Sequence, residues 1–395
     1  MTETGIGRQA AFFRRGLWRV AALSAAIALA GCQVVPKGQR ALPPPPTART
    51  DVIAPLPVDK ERHRVALLVP MTGANAGVGR SIANATTMAL FDTRTEKVRI
   101  TTYDTATGAA AAAKKAIAEG NRLILGPLTA DEVRAVTPTA RAASVPLISF
   151  SNDVSIAGNG IYLMGYIPAQ SVDRVVRFAG GKGVTNFAAL VPKGVYGERA
   201  GSAFLKAVKD QGGNVVAMES FDRSSGSVAA AVKRLASASS YDALLIADLG
   251  RIAVQAAPLV RANGGQKARL LGTELWNTDS AVANGGALRG AWFASVGDGL
   301  YRQFHTKYRA RYGAAPYRLA SLGYDAVLLT VRIAQDWRPG APFPAGRLND
   351  RDGFAGLDGA FRFNQDGIAE RALEVQEVGA GGPVVVDPAP KGFGR

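Results

Sequence analysis

RLILGPLTADEVRAVTPTARAASVPLISFSN, residues 122–152, decides the fold. Leu123, Ile124 and Leu125 form a short apolar run that Gly126-Pro127 breaks. Thr129 has the chemistry of a helix N-cap, and Glu132 stands three residues on, the spacing of a capping box. Val133, Val136, Ala140 and Ala143 recur at intervals of three or four, which predicts a helix lying on a sheet. Pro138 falls inside that pattern and predicts a kink or a shortened helix. Val145 to Ile148 then reads as a second buried strand. Two such strands around one helix make a βαβ unit, so they are expected to be parallel neighbours. Hydroxyl residues follow both: Thr129 after the first, Ser149 and Ser151 after the second. Ligands of open parallel sheets bind beyond the carboxyl ends of the strands. Hydroxyls and a helix N-terminus at that place suit an anionic or zwitterionic group.

Outward from this unit the pattern repeats. Val65 to Val69 is a continuous apolar run, expected to be a strand buried on both faces. A glycine-rich loop (residues 70–79) and a helix follow it, then a strand from Val98 to Tyr103 and an alanine-rich helix from Gly108 to Glu119. From Phe187 a second strand–helix series begins, with strands read at 187–191, 215–218, 243–247, 270–271 and 292–294. The chain then returns in two helices, Leu300 to Tyr312 and Leu319 to Asp336. It closes in two strand-like stretches, 359–363 and 373–378, with a hairpin turn at Asn364-Gln365-Asp366-Gly367. The expectation is an α/β protein of two Rossmann-like lobes with parallel sheets: lobe 1 about 64–165 and 298–345, lobe 2 about 166–297 and 350–379, and a tail over 380–395.

The 395 residues carry a net charge of +16. A basic balance suits nucleic acid, an acidic polymer or an anionic surface, but it is also the ordinary signature of a solvated basic surface. With no helix-turn-helix, zinc-finger spacing or interleaved aromatic and basic residues, no nucleic-acid partner is expected. The single cysteine, Cys32, excludes an internal disulfide and a cysteine zinc site. Arg14, Arg15 and Arg19 precede the apolar run Val20 to Leu29, which is too short to span a bilayer. Leu29-Ala30-Gly31-Cys32 resembles a bacterial lipoprotein signal box. Residues 1–31 are therefore expected to be a signal peptide and Cys32 a lipidated first residue. Gln33, where inner-membrane retention calls for Asp, points to the outer membrane. Residues 32–63, with Pro43 to Pro46 consecutive, read as an extended tether, with His63 exposed at its end.

Nucleotide sites fail on spacing. Between Gly73 and Gly79 lie five residues where a P-loop needs four, and Arg80 replaces the lysine; Gly77 and Gly79 lack the third glycine of a dinucleotide fingerprint. Catalysis finds no support either. The two histidines are far apart in sequence, and no HExxH or G-x-S-x-G motif occurs. No metal or cofactor is expected.

The pieces resemble the type I periplasmic-binding-protein fold of the Leu/Ile/Val-binding family. Residues 65–73, 123–129, 145–149, 323–327 and 361–367 carry the likeness, in order. Tyr103-Asp104-Thr105, Gly126-Pro127-Leu128 and Phe150-Ser151-Asn152-Asp153 look like a subfamily of lipoproteins that activate penicillin-binding proteins, although enterobacterial members carry a helical-repeat domain with no counterpart here. The family resemblance implies that Thr72, Thr129, Ser149, Ser151 and Asn152 occupy first-lobe ligand loops. It places Tyr196 at the cleft on the second lobe, with Asp248 and Glu274 at the ends of second-lobe strands, suited to an ammonium group. Thr129 has the alternative of being a cap alone, Tyr196 of packing on its own loop, and Asp248 and Glu274 of capping helices or pairing with Arg251. Two functions follow: a non-catalytic regulator of peptidoglycan synthases, or a solute receptor handing an amino-acid-like ligand to an ABC permease.

Overall fold

The chain builds its first sheet from short strands that each turn two apolar faces to helices. The computed structural model describes residues 61–393 other than 239, 278 and 285. The expected signal peptide, Cys32 and nearly all of the tether lie outside the described residues. The order begins β1 (His63–Val69), α1 (Ala76–Thr93), β2 (Val98–Asp104), α2 (Ala109–Ala118), β3 (Leu123–Leu125), α3 (Ala130–Ala142), β4 (Leu147–Ser149) and β5 (Ile161–Leu163). These strands lie as β2-β1-β3-β4-β5, all parallel. Val65, Leu67 and Val69 of β1 enter one core while Ala66 and Leu68 enter another. That is why the strand reads as unbroken apolar sequence rather than alternation.

The chain then crosses to a second lobe as α4 (Pro168–Gly181), β6 (Asn186–Pro192), α5 (Val195–Asp210), β7 (Asn214–Phe221), α6 (Ser225–Ala236), β8 (Ala243–Ile246), α7 (Gly250–Ala262), β9 (Arg269–Gly272), α8 (Ser280–Asn284) and β10 (Trp292–Ser295). It returns as α9 (Gly299–Tyr312), α10 (Ala320–Ile333), β11 (Phe354–Gly356), β12 (Gly359–Phe363) and β13 (Ala369–Arg371). A third crossing adds β14 (Glu374–Gly379) and β15 (Gly382–Asp387) to the second sheet. That sheet runs β15-β14-β10-β9-β8-β6-β7, parallel from β10 to β7 and antiparallel across β10, β14 and β15. Three crossings, at 164–167, 296–298 and 372–373, join the lobes. No helix among the described residues is long and apolar enough to cross a membrane.

Several expectations are corrected. The turn at 364–367 joins β12 to β13 in a small antiparallel sheet, and β14 departs to the other lobe. Tertiary packing divides them: Phe354, Phe361, Phe363 and Ala369 fill the first-lobe core beside Leu67, whereas Val375 and Val378 lie in second-lobe cores. Residues 354–371 thus belong to lobe 1, not lobe 2. The expected tail contains β15. His63 is not exposed; it is 4% accessible and stacks on Trp337 with ring centroids 4.0 Å apart. Helix α3 runs through Pro138 to Ala142 rather than ending there.

The glycines of the loops that fail the nucleotide patterns have a packing role. A Cβ on Gly79, in the first turns of α1, would stand 1.9 Å from the Pro70 carbonyl oxygen. In the corresponding turn of the second lobe, a Cβ on Gly197 would stand 1.6 Å from the Pro192 oxygen. Each glycine lets a helix start against the end of the strand before it.

Candidate functional site

The carboxyl ends of the strands in both sheets border a cleft of about 920 Å³, within the range of small-molecule sites. From the first lobe come Leu128 after β3, Phe150, Ser151 and Asn152 after β4, Tyr166 after β5, Tyr301 and His305 of α9, and residues 316–319 before α10. From the second come Tyr196 of α5, Leu249 and Arg251 after β8, Glu274, Leu275 and Asn277 after β9, and Ser295 and Val296 after β10.

Four of the residues anticipated from sequence thus meet in one place: Ser151, Asn152, Tyr196 and Glu274. Thr72, Thr129, Ser149 and Asp248 are not among the residues lining the cleft, and each is occupied elsewhere. Thr72 donates its hydroxyl to Asp104 at 2.7 Å. Thr129 caps α3: its Oγ1 accepts the Glu132 amide at 3.3 Å while Glu132 Oε2 accepts the Thr129 amide at 2.9 Å. Ser149 is fully buried, donates to the Pro127 carbonyl and accepts the Ser151 amide, which shapes the loop that carries Ser151. Asp248 is fully buried and receives Arg223 Nε on both oxygens, at 3.0 and 2.9 Å, so its partner is Arg223 and not Arg251.

On the second-lobe wall, Glu274 follows β9 in a short 3-10 turn that runs from Glu274 to Trp276. The Ser171 hydroxyl donates to its Oε2, and the Tyr196 hydroxyl stands 3.1 Å from its Oε1. Thr273 Oγ1 lies 3.0 Å from the same Tyr196 oxygen. Burial pushes the Glu274 carboxyl above the usual carboxylate range, and the hydroxyls around it offset this only in part. Burial and the Glu274 charge likewise hold the Tyr196 phenol well above its ordinary value. No Lys, Arg or His among the described residues forms an ion pair with Glu274. The second wall therefore presents a half-buried acid whose side-chain partners are neutral hydroxyls.

The first-lobe wall is backed by charges that match one another. Arg318, with a side chain 10% accessible, lies 2.6 Å from Asp358, whose side chain is fully buried. Tyr166 and Ser321 donate to the other Asp358 oxygen at 2.6 and 2.8 Å. The Arg318 guanidinium stacks 3.9 Å above the Tyr301 ring. Arg371, also buried, donates to the Met164 carbonyl at 2.6 Å. Burial works to raise the Asp358 carboxyl, but Arg318 and Arg371 outweigh it and hold it low. Burial, and then the Asp358 charge, push neighbouring Asp325 up. Asp325 accepts the Leu357 amide at 2.6 Å and Tyr324 donates to Asp92 at 2.9 Å, so both side chains serve packing within the lobe.

Sequence reasoning missed Tyr166, Tyr301, Arg318 and Asp358. The available signal was acid in apolar surroundings: Asp325 amid Leu322 to Leu329, and Asp358 between Phe354 and Phe361. Such acids carry a matching buried base or a function. Among the described residues, side chains join the lobes at three places. Gln170 of α4 donates to the Ala369 carbonyl at 2.7 Å and accepts the Arg371 amide at 3.0 Å, both in β13. Arg199 of α5 reaches Asp153, after β4, at 2.6 Å. At the crossing, Asn277 donates to Asp298 at 2.9 Å, and Asp298 faces Arg318 at 3.8 Å. No cluster of three or more His, Cys, Asp or Glu suited to a metal occurs among the described residues.

Comparison with known proteins agrees with this geometry. The chain is similar to a leucine binding protein of Thermotoga maritima, at 20% identity and TM-score 0.61, covering 83% of this chain and 98% of that one. It is similar to a solute binding protein of an ABC transporter from R. palustris in complex with 4-hydroxybenzoate, at 17% identity and TM-score 0.64, covering 84% and 98%. At these identities the likeness is one of fold. An uncharacterised protein of Rickettsia prowazekii (strain Madrid E) is 28% identical over 142 residues, 35% of this chain; the match spans 38% of that relative's length. The profile of the periplasmic binding protein family matches residues 63–383. The chain belongs to the periplasmic binding protein family.

Proposed function

We propose that this protein is the solute receptor of an ABC importer and that its ligand is amino-acid-like. The observation that carries the reading is the Glu274 carboxylate. Glu274 is half-buried at the cleft wall; a carboxylate partly withdrawn from water without a cationic partner is costly, and a ligand ammonium group reduces that cost on binding. Tyr196 orients Glu274 from beside, and Ser151 with Asn152 supplies polar groups for a carboxylate from the facing wall. Phe150, Leu128, Leu249 and Tyr301 give the apolar surround for a side chain. A benzoate-type anion, such as the 4-hydroxybenzoate of the R. palustris relative, can offer Glu274 a neutral phenol hydroxyl but no positive charge. The relatives support the receptor over the synthase regulator, since one is a leucine binding protein and the other a solute binding protein of an ABC transporter. Delivery to an ABC permease follows from the same relatives. Family membership places the folded body outside the cytoplasm, and the segment Leu29-Ala30-Gly31-Cys32 supports attachment by a lipid at Cys32, in the outer membrane on account of Gln33.

A thermal-shift screen of the twenty L-amino acids alongside 4-hydroxybenzoate tests the ligand class. A binder at a hundred times its dissociation constant stabilises the fold by about 2.7 kcal/mol. At least one amino acid is expected to raise the melting temperature while 4-hydroxybenzoate does not. If no amino acid does so, or only the benzoate does, the reading is wrong. Mass spectrometry of the mature N-terminus tests Cys32: a diacylglycerol-modified cysteine is expected, and a free thiol at that position rejects the anchor.

A further inference from the structure

Among the described residues, Arg199 and Asp153 form an ion pair between the lobes that lies away from the three crossing segments in sequence. Asp153 belongs to the first lobe, directly after the cleft residues Ser151 and Asn152. Its orientation is fixed by its own lobe: the Ser155 amide donates to Oδ1 at 3.0 Å, and Arg134 reaches Oδ2 at 3.2 Å. Arg199 belongs to the second lobe, three residues beyond Tyr196 on α5, so the two side chains share a helix face. Its guanidinium reaches Asp153 Oδ1 at 2.6 Å and the Asn152 carbonyl at 3.5 Å. The pair is partly shielded, with side-chain accessibilities of 29% and 14%. Each end is thus rigidly attached to one wall of the cleft, and the contact exists only when the walls are close. A relative movement of a few ångströms, far less than a hinge opening, breaks it.

We propose that the Arg199–Asp153 pair is a clasp that sets the balance between open and closed lobes, and so sets apparent affinity without touching the ligand. The protein's own charges then bias the closed arrangement. A ligand that binds the closed form sees its dissociation constant divided by the fraction of molecules already closed. The pair is a positioning device, and its effect is expected to be about 1.5- to 5-fold in apparent affinity, the span of partly exposed ion pairs.

Small-angle scattering without added ligand is the direct test, on the wild type, Arg199→Ala, Arg199→Glu and Arg199→Lys. The radius of gyration is expected to rise in Arg199→Ala, to rise further in Arg199→Glu, where like charges face each other, and to return towards wild type in Arg199→Lys. Added salt is expected to expand the wild type and leave Arg199→Ala unchanged, because screening acts on the pair. Unchanged melting temperatures would show that the fold is intact; should a variant unfold, the wild-type salt response and Arg199→Lys still decide. Identical scattering for all four proteins at all salt concentrations overturns the clasp. The affinity half rests on the receptor reading and is tested with L-leucine, or with whichever amino acid the screen returns. Changed scattering with no amino acid bound keeps the clasp and removes the receptor reading. An amino acid bound equally by wild type and Arg199→Ala, with scattering unchanged, does the reverse.

Discussion

The two walls of the cleft treat buried charge in opposite ways. Behind the first-lobe wall, Arg318 and Arg371 face Asp358 and Asp325, and every acid has an arginine or a backbone amide close by. On the second wall, Glu274 has hydroxyls and its own backbone amide but no cation. The first arrangement pairs Asp358 with Arg318, Tyr166 and Ser321 and stiffens the return of α10 and the small sheet against the lobe, while Arg371 Nε and Nη1 and Asp325 Oδ2 are buried without a hydrogen-bond partner among the described residues. The second has no positive charge paired with it among the described residues, and that is the place the proposed ligand ammonium would take. Buried charge alone therefore does not mark a binding site; what marks it is charge that the chain leaves unmatched.

The largest expected effect breaks the matched wall. Asp358→Asn keeps the shape and removes the charge that neutralises Arg318. Breaking a buried pair from one side costs about 3–5 kcal/mol, to be read by denaturant unfolding. The same substitution removes one cause of the raised Asp325 carboxyl, so Asp325 is expected to titrate lower, which carboxyl-detected NMR reads. A loss under about 1 kcal/mol would mean that the wall is not a matched set; exposed pairs cost that little.

Glu274→Gln tests the unmatched wall and is expected to do the opposite. Stability should hold or rise, since a half-buried charge without a cationic partner is removed and the amide oxygen still accepts from Tyr196. Affinity for the amino-acid ligand should fall by about 10- to 100-fold, the 1.5–3 kcal/mol of a charge-assisted hydrogen bond. Calorimetric titration measures it.

The pH dependence sharpens the contrast at smaller amplitude. Burial raises the folded value for Glu274 above the unfolded one. Its contribution to stability is thus full below the unfolded carboxylate value, about 4.3, and is lost as pH rises through the folded value. Asp325, raised to about 7, has the same sign. The wild-type stability curve minus that of Glu274→Gln isolates the Glu274 share, and that difference should fall with rising pH. Ligand affinity should move the other way, strengthening with pH as the carboxylate that holds the ammonium forms.

Much of the fold was legible because periodicity reports burial, and burial on both faces of a strand leaves an unbroken apolar run such as Val65 to Val69. The partition of the last strands was not legible. Residues 354–371 and 374–387 have similar apolar content, and only tertiary packing sends Phe361 to one lobe and Val375 to the other. The site divided the same way. Tyr196 and Glu274 stand where a strand ends, a position that sequence reveals. Arg318 and Asp358 are forty residues apart, and no local spacing announces that a helix return brings them within 2.6 Å.

Thr129 carries the smallest effect and a clean decision, because sequence allowed it two roles and the cleft leaves it one. Its side chain and that of Glu132 close a reciprocal capping box at the start of α3. Loss of an N-cap hydroxyl costs about 1 kcal/mol, so Thr129→Ala is expected to lower unfolding free energy by that amount. Ligand affinity should be unchanged, since the hydroxyl does not line the cleft. Ser151→Ala makes the matching control: its loop borders the cleft, so affinity is expected to fall by a few-fold, with little loss of stability. If Thr129→Ala weakened binding as much as Ser151→Ala does, the first wall would extend further along the β3–α3 turn than the cleft geometry places it, and the capping box would be part of the ligand site.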